Sequence, residues 1–319
     1  MNRLNLANLP TRIEKMKFTH NGVNVYIKRD DQTGFELSGN KVRKLEYSFA
    51  EAKELGCDTV ITCGGIQSNH ARATAIAAVK LGFEVHLVLK ENETPSQGNF
   101  FLDEMIGAKI HLISVDDYKN RHQIMNDMKR DFDGNGKSTY LIPEGASNGV
   151  GNLGYENAFH EIQADEKELG IQFDYIVSAF GSGSTYAGLL MGIKKSGRDT
   201  KNIGYNIYNP NVDSYEMVTR LLDESKPYTT LPTIEPADID IRTDYVGKGY
   251  ALSRDEEIEF ILDTARNEGI LLDSVYTGKA LYGLVSEIKQ GKYKENSSIL
   301  FIHTGGVFGN FSKTDLFLK

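Results

Sequence analysis

The chain is poor in cysteine, in net positive charge and in long apolar runs, and each shortage excludes something. Cys57 and Cys63 are the only thiols in 319 residues. No disulfide framework is therefore expected, and a reducing, cytoplasmic setting is. Thirty-six lysines and arginines face 44 aspartates and glutamates, for a net charge of -8. With no basic run interleaved with aromatics, a nucleic-acid partner is not expected. No apolar stretch approaches the ~18 residues needed to cross a bilayer. The first residues, Met1 to Leu6, lack the apolar core of a secretory signal. The seven histidines never fall beside cysteines or carboxylates at metal-site spacing, so no structural metal is expected. What remains, 40% hydrophobic and 25% charged, is ordinary globular composition, long enough for one large or two medium domains.

Glycine, by contrast, is plentiful at 31 residues, and it is clustered where strands give way to helices. The pattern predicts strands over 58–62, 83–89, 109–114 and 138–142, with helices over 70–81, 96–105 and 116–132 between them. A glycine break at 144–154 leads into a helix over 155–169, then a strand over 175–179 and a helix over 186–195. Strands over 203–208 and 239–246 alternate with helices over 215–223 and 255–267. A helix over 277–290 and a strand over 298–303 complete the series. Such alternation implies mostly parallel sheets covered by helices, an α/β fold of two domains. The crossover is expected near the first glycine break. The expected division is a small domain over 46–150 and a large one formed by 1–45 and 151–319.

One lysine stands out. Lys41 follows Gly39-Asn40, and Asn40 reads as a helix N-cap. A helix from there puts Val42, Leu45, Phe49, Ala52 and Leu55 on one face, with Lys41 in its middle. Arg43, Glu46 and Glu54 should point away, with Lys44 at the margin. A lysine aimed inward is costly unless it is paired, neutralised or used covalently. Desolvated lysines drop in pKa and serve as the amines of Schiff-base chemistry. The alternative, a first-turn lysine snorkelling to water, is left open by these residues alone.

Three glycine turns follow strands and open helices or close a strand. Gly181-Ser182-Gly183-Ser184-Thr185 offers backbone donors, hydroxyls and a helix start to a phosphate. It lacks the Gly-Lys-Ser/Thr ending of a P-loop and the glycine spacing of a dinucleotide site, which leaves a small phosphate ligand. In Gly64-Gly65-Ile66-Gln67-Ser68-Asn69, Ser68 or Asn69 should cap the next helix while facing a ligand at the sheet edge. His303-Thr304-Gly305-Gly306 closes the last strand. An inward lysine, a phosphate loop and polar turns at strand ends suit a phosphate-bearing aldehyde cofactor held as an imine, and pyridoxal phosphate fits.

These residues resemble the D-cysteine desulfhydrase and 1-aminocyclopropane-1-carboxylate deaminase group of pyridoxal-phosphate enzymes, which share the tryptophan-synthase β fold. The resemblance runs from Asn8-Leu9-Pro10-Thr11 and Ile27-Lys28-Arg29-Asp30-Asp31 through Gly39-Asn40-Lys41-Val42-Arg43-Lys44-Leu45-Glu46 to Asp273-Ser274-Val275-Tyr276-Thr277-Gly278-Lys279 and His303-Thr304-Gly305-Gly306. It implies two domains, each an open twisted sheet. It implies that Lys41 holds the cofactor, that Asn69 bonds its phenolic oxygen and that Gly181, Ser182, Gly183, Ser184 and Thr185 cup its phosphate. Thr304 would lie near the pyridine nitrogen, with Thr277 also at the cofactor. Ser68, Tyr250 and Tyr276 would join Lys41 in catalysis, and Ser68, Asn69, His70 and Tyr276 would meet the substrate. The deaminases carry glutamate and leucine at the positions of Thr277 and Thr304, so this chain looks like the desulfhydrase side. Tyr186 departs from the histidine that often follows the phosphate loop. The implied activity is α,β-elimination of D-cysteine to pyruvate, hydrogen sulfide and ammonia by a homodimer. Deamination of 1-aminocyclopropane-1-carboxylate or a sulfo-lyase acting on L-cysteate are the sibling alternatives. A phosphate-sugar or nucleotide enzyme, and a binding protein without turnover, are the alternatives of other classes.

Overall fold

The computed structural model describes residues 1–91, 97–211 and 213–318. The chain opens with a hairpin, β1 (Ile13–His20) and β2 (Val23–Lys28), that the pattern above did not anticipate. Its signal was present: Asn21 and Gly22 both take positive φ, 48° and 73°, as a tight hairpin turn requires. There follow α1 (Lys41–Glu54), β3 (Thr59–Gly65), α2 (Asn69–Leu81), β4 (Glu84–Lys90), α3 (Gly98–Met105), β5 (Lys109–Ile113), α4 (Arg121–Gly134) and β6 (Thr139–Leu141). The second half holds α5 (Gly149–Leu169), β7 (Tyr175–Phe180), α6 (Ser184–Lys195), β8 (Lys201–Asn206), α7 (Ser214–Ser225), β9 (Asp240–Arg242), α8 (Asp255–Glu268), α9 (Thr277–Lys289) and β10 (Ser298–Ile302). The α/β architecture with two sheets is as expected.

One sheet has six strands in the order β1-β2-β10-β7-β8-β9, parallel except for β1 against β2. The other has four parallel strands in the order β5-β4-β3-β6. On one face of the large sheet Ile261, Leu281 and Leu284 of α8 and α9 pack against Val177, Ile203 and Phe301. On the other, Phe159 and Leu189 of α5 and α6 pack against Ile176 and Leu300. In the small sheet, α1 and α2 cover one face and Met125 of α4 the other.

Several boundaries moved for identifiable reasons. The expected helix over 116–132 splits into a 3-10 turn, Asp117–Asn120, and α4. The expected strand over 239–246 shortens to the three residues of β9. Of the expected helix over 96–105, residue 96 lies outside the described residues, and α3 starts at Gly98. The largest change is at α5, which begins six residues before the expected start, inside the glycine run. Those glycines are close-approach points rather than loop residues. A Cβ on Gly149 would lie 1.9 Å from Glu224 O, and one on Gly154 would lie 2.5 Å from Arg43 O. Helix backbones cross there at a distance no side chain permits.

The placement of α1 corrects the expected polar face. Val42, Leu45, Phe49 and Ala52 enter the core of the small sheet as the spacing required, each burial contributing up to about 1.5–3 kcal/mol for the larger side chains. Leu55, past the helix end, is exposed. Arg43, Lys44 and Glu46, however, are each 1% exposed rather than facing water. The opposite face of α1 packs against α5, with Tyr47 beside Val150 and Leu153. Glu46 accepts the backbone N–H groups of Leu6 and Ala7, both at 2.8 Å. Arg43 donates to both carboxylate oxygens of Asp30 (2.9 and 2.7 Å) and to both of Glu161 (3.0 and 3.1 Å). Thr11 and Tyr155 hydroxyls complete the Asp30 shell at 2.8 and 2.6 Å. Burial alone would raise the Asp30 carboxyl, but the Arg43 guanidinium overrides it and holds the group below its usual range.

Arg43→Met is expected to lower stability by about 3–5 kcal/mol, because it leaves Asp30 buried and uncompensated. A urea midpoint that moves by less than about 1 kcal/mol equivalent would show that the network is not a structural anchor.

Candidate functional site

The site forms where the C-terminal ends of the parallel strands meet the start of α1, as open α/β sheets dictate. Gly39 brings the α1 start there. It takes φ +107°, and a Cβ on it would lie 2.9 Å from Thr304 O. Asn40 N donates to that same carbonyl at 3.1 Å. Asn40 was expected to cap α1 with its side chain, and it does not. Its amide instead donates to Thr185 Oγ1 at 3.0 Å, tying the start of α1 to the loop after β7. The turn after β10, the phosphate-type loop and Lys41 are thus held within one constellation.

Lys41 is partly exposed, and its Nζ lies 3.4 Å from where a Cβ on Gly145 would sit. Gly145 takes φ +73°, and the same Cβ would lie 2.8 Å from Ser182 Oγ. A side chain at 145 would fill the space between the lysine and the loop. Burial lowers Lys41 to about 8, opposed in part by the Glu144 carboxylate. Lys44, expected at the margin of the apolar face, is buried, and its Nζ donates to Gly145 O at 3.5 Å. Burial, and then repulsion from Lys41, pull its amine well below its ordinary value. Among the described residues neither lysine forms an ion pair. Two desolvated amines without an ion-pair partner, with only the Glu144 carboxylate acting on Lys41, make a site that a phosphate would suit.

The loop from Gly181 to Thr185 supplies the remaining donors. Gly183 takes φ +89° and stands at the N-cap of the twelve-residue α6. Ser184 Oγ is buried without a partner, and Ser182 Oγ lies 2.5 Å from Ser147 Oγ. An orphaned hydroxyl at a helix start, a glycine-lined gap and two unpaired amines fit a phosphate-bearing aldehyde. Lys44, Gly145 and Ser147 are members of this site that sequence reasoning missed. Their signal, a second lysine one turn after Lys41 and the 144–149 glycine run, was read as a helix margin and a domain break.

At the start of α2, Ser68 Oγ caps the helix by accepting Ala71 N at 3.1 Å, as expected. Gly64 makes room for it, since a Cβ there would lie 2.6 Å from Ser68 Oγ. Asn69 is partly exposed, and its Oδ1 accepts from Asn99 Nδ2 at 2.9 Å. His70 corrects the expectation of substrate contact. Its ring is buried, with Nε2 2.7 Å from Thr62 Oγ1 and Nδ1 3.5 Å from Thr74 Oγ1. Burial, with Lys41 and Lys44 adding to it, pulls its pKa well below the usual value, so it is neutral.

Tyr276 lies over the loop, its Cε1 3.6 Å from a Cβ placed on Gly181. Its hydroxyl is hydrogen-bonded to that of Tyr250, whose ring meets Tyr276 edge-on with centroids 6.0 Å apart. Desolvation raises Tyr250 to about 12 and Tyr276 well above its ordinary value. Both are therefore protonated at neutral pH and able to donate. Asp273 brings Tyr276 into place by accepting the N–H groups of Val275, Tyr276 and Thr277 at 2.9, 2.9 and 2.7 Å. Thr277 is a second correction. It is fully buried, and its hydroxyl donates to Asp273 Oδ1 at 2.7 Å and accepts Asp273 N at 2.9 Å, so it is held in the turn that leads into α9 rather than facing a ligand. Thr304 is partly exposed, and its carbonyl lies beside Gly39 at the start of α1.

Comparison with known proteins agrees with this geometry. Residues 4–305 match the family described as pyridoxal-phosphate dependent enzymes. The chain is 42% identical to the bifunctional D-cysteine desulfhydrase/1-aminocyclopropane-1-carboxylate deaminase of Arabidopsis thaliana, a mitochondrial protein, over 97% of this chain and 79% of that one. It is 34% identical to the D-cysteine desulfhydrase of Serratia proteamaculans, over 95% of this chain and 93% of that one. A crystal structure of a homologue of the deaminase superposes with a TM-score of 0.87 at 36% identity, covering 99% of this chain and 95% of that one.

Reductive labelling with a small aldehyde reports on the free amine, since only neutral lysine reacts. In the cofactor-free protein Lys41 is expected to reach half-maximal labelling near pH 8. Surface lysines should lag until about pH 10. Peptide mass mapping separates the two populations, and a Lys41 that labels with the surface set would remove the case for a desolvated amine.

Proposed function

The chain belongs to the pyridoxal-phosphate dependent enzyme family, and from that premise, as a lyase of that family, we propose that it converts D-cysteine by α,β-elimination to pyruvate, hydrogen sulfide and ammonia. When bound, the cofactor supplies an electron sink for the substrate α-carbon, which lets a β-substituent depart. Lys41 Nζ is the covalent anchor of the cofactor. Its lowered pKa keeps much of the freed amine neutral near pH 8, ready to take the α-proton. Gly181 to Thr185, with the orphaned Ser184 hydroxyl, hold the phosphate, and Lys44 balances its charge. Asn69 donates to the phenolic oxygen. Ser68 and the N-terminal amides of α2 hold the substrate carboxylate, orienting the α-carbon toward Lys41. The hydrogen-bonded Tyr276 and Tyr250 hydroxyls, both protonated at neutral pH, deliver a proton to the departing sulfur.

The observation that carries the choice of substrate is that Thr304 offers a hydroxyl, and neither Thr277 nor Asp273 a free carboxylate, at that end of the site. Thr277 is locked to Asp273, and the Asp273 carboxylate is occupied by the N–H groups of Val275, Tyr276 and Thr277 and by the Thr277 hydroxyl, so neither offers an acid to a ring nitrogen. A hydroxyl at Thr304 holds a proton there less firmly than a carboxylate would. A weaker electron sink suffices for a good leaving group such as thiolate and disfavours the harder opening of a cyclopropane ring. The relatives named for both activities keep deamination of 1-aminocyclopropane-1-carboxylate as the second reading. The protein is proposed to be a cytoplasmic homodimer. Among the described residues no helix is long and apolar enough to cross a membrane.

The holoenzyme is expected to show a near-violet absorbance band that changes on addition of D-cysteine, with pyruvate and sulfide formed in equal amounts. Ammonia released from 1-aminocyclopropane-1-carboxylate, with no sulfide from D-cysteine, would overturn the choice of substrate. Lys41→Ala should lose both band and turnover, and Tyr276→Phe should lower kcat by about 10²–10⁴-fold with the band retained. An unchanged kcat in Tyr276→Phe would remove the tyrosine from proton transfer.

A further inference from the structure

Asn69 is an amide, and an amide at a ligand has two faces: Nδ2 donates, and Oδ1 accepts. Which face meets the ligand depends on what holds the other. Here the other face is held from α3, by a residue outside the site described above. Asn99 is fully buried, and its Nδ2 donates to Gln67 O at 2.9 Å and to Asn69 Oδ1 at 2.9 Å. Its backbone N–H donates to Gln67 Oε1 at 3.0 Å, while Gln67 Nε2 donates to Gln97 O at 2.9 Å. The directions in this chain are forced. A backbone carbonyl can only accept, so the Asn99 group facing Gln67 O must be its NH₂. The same NH₂ then faces Asn69, so the Asn69 atom it meets must be oxygen. That leaves Asn69 Nδ2 as the free face, and among the described residues nothing accepts from it. Gly98 lets α3 come this close: it takes φ +56°, and a Cβ there would lie 2.6 Å from Gln67 Oε1 and 2.8 Å from Phe308 O.

We infer that Asn99 is a positioning residue for the cofactor: through the carbonyl of Gln67 it sets the amide of Asn69 with its donor toward the cofactor's phenolic oxygen. This rests on the reading that Asn69 meets that oxygen. A donor there stabilises the phenolate and favours loss of the proton it shares with the lysine-linked nitrogen, so the pKa of the near-violet chromophore is kept low. An Asn69 free to turn would present Oδ1 instead and lose that effect. The arrangement fixes the electronics of the cofactor from a buried position on a neighbouring helix.

The test is a pH titration of the holoenzyme's absorbance in Asn99→Asp, Asn99→Ala, Asn69→Ala and the doubles Asn69→Ala/Asn99→Asp and Asn69→Ala/Asn99→Ala. Asn99→Asp is nearly isosteric, but a carboxylate can only accept, so it draws Asn69 Nδ2 away from the cofactor. Asn99→Ala removes the lock without adding charge, and either variant suffices if the other does not fold. Lys44, His70, Glu144, Tyr250 and Tyr276, the other titratable groups facing the site, are the same in all. Asn69→Ala is expected to raise the chromophore pKa by about one pH unit. Each Asn99 variant should raise it in the same direction, and should add nothing once Asn69 is alanine. Asn99 variants that titrate like the unaltered holoenzyme while Asn69→Ala shifts would overturn the inference and leave the Asn69 contact standing. So would an Asn99 effect that persists without Asn69. An Asn69→Ala holoenzyme with an unshifted titration would overturn the contact itself, and the inference with it.

Discussion

The buried pairing of Arg43 with Asp30 and Glu161 is the interaction on which the rest of the structure depends. It joins three parts of the chain that are far apart in sequence: the segment after β2, the first turn of α1 and the middle of α5. Lys28 extends it to Asp165 at 2.6 Å, and Tyr155 and Thr11 close it. Charged groups taken this far from water persist only if every partner stays in place. Because Arg43 lies two residues after Lys41, fixing the guanidinium also fixes where the α1 start points. The Lys41 amine is therefore placed by an ion network of which it is not itself a member.

Close backbone approach is the second constraint, and it serves the same end. Gly154 lets α5 touch α1 at Arg43, and Gly39 lets the α1 start lie against Thr304. Gly145 leaves open the gap between Lys41 and Ser182. Each brings main-chain groups from a different element to within contact of the site. Into that space the fold directs desolvated basic groups that form no ion pair among the described residues, with only the Glu144 carboxylate acting on Lys41. Lys41 and Lys44 are lowered by burial, and His70 is kept neutral beside them. An anion bound there would favour the charged form of both amines.

Much of this was legible in the residues. The alternation of apolar runs with glycine turns marked most strands and helices of both sheets, because strand burial and helix faces are local properties of spacing. Lys41 was visible as a cation out of place on an apolar face. The loop from Gly181 to Thr185 was visible because a glycine and hydroxyl run after a strand has few other uses. The first hairpin was overlooked although Asn21-Gly22 announced it. The glycines of α5 misled, since a glycine that permits helix crossing looks the same in sequence as one that permits a turn.

By itself the sequence determined the fold class, the start of α1 at Lys41, the glycine and hydroxyl loop after β7 and the Ser68 cap, all of which follow from spacing over a few residues. Only the tertiary structure decided that Arg43, Lys44 and Glu46 are buried, because a helix packed on both sides has no water-facing stripe for its pattern to reveal. Only it separated Thr277, which spends its hydroxyl on Asp273, from Thr304, which stands beside Gly39. Only it joined Asn99 to Asn69 across 30 residues of chain. Hydrogen-bond partners are set by which elements the fold brings within 3 Å of one another, and no local pattern encodes that distance.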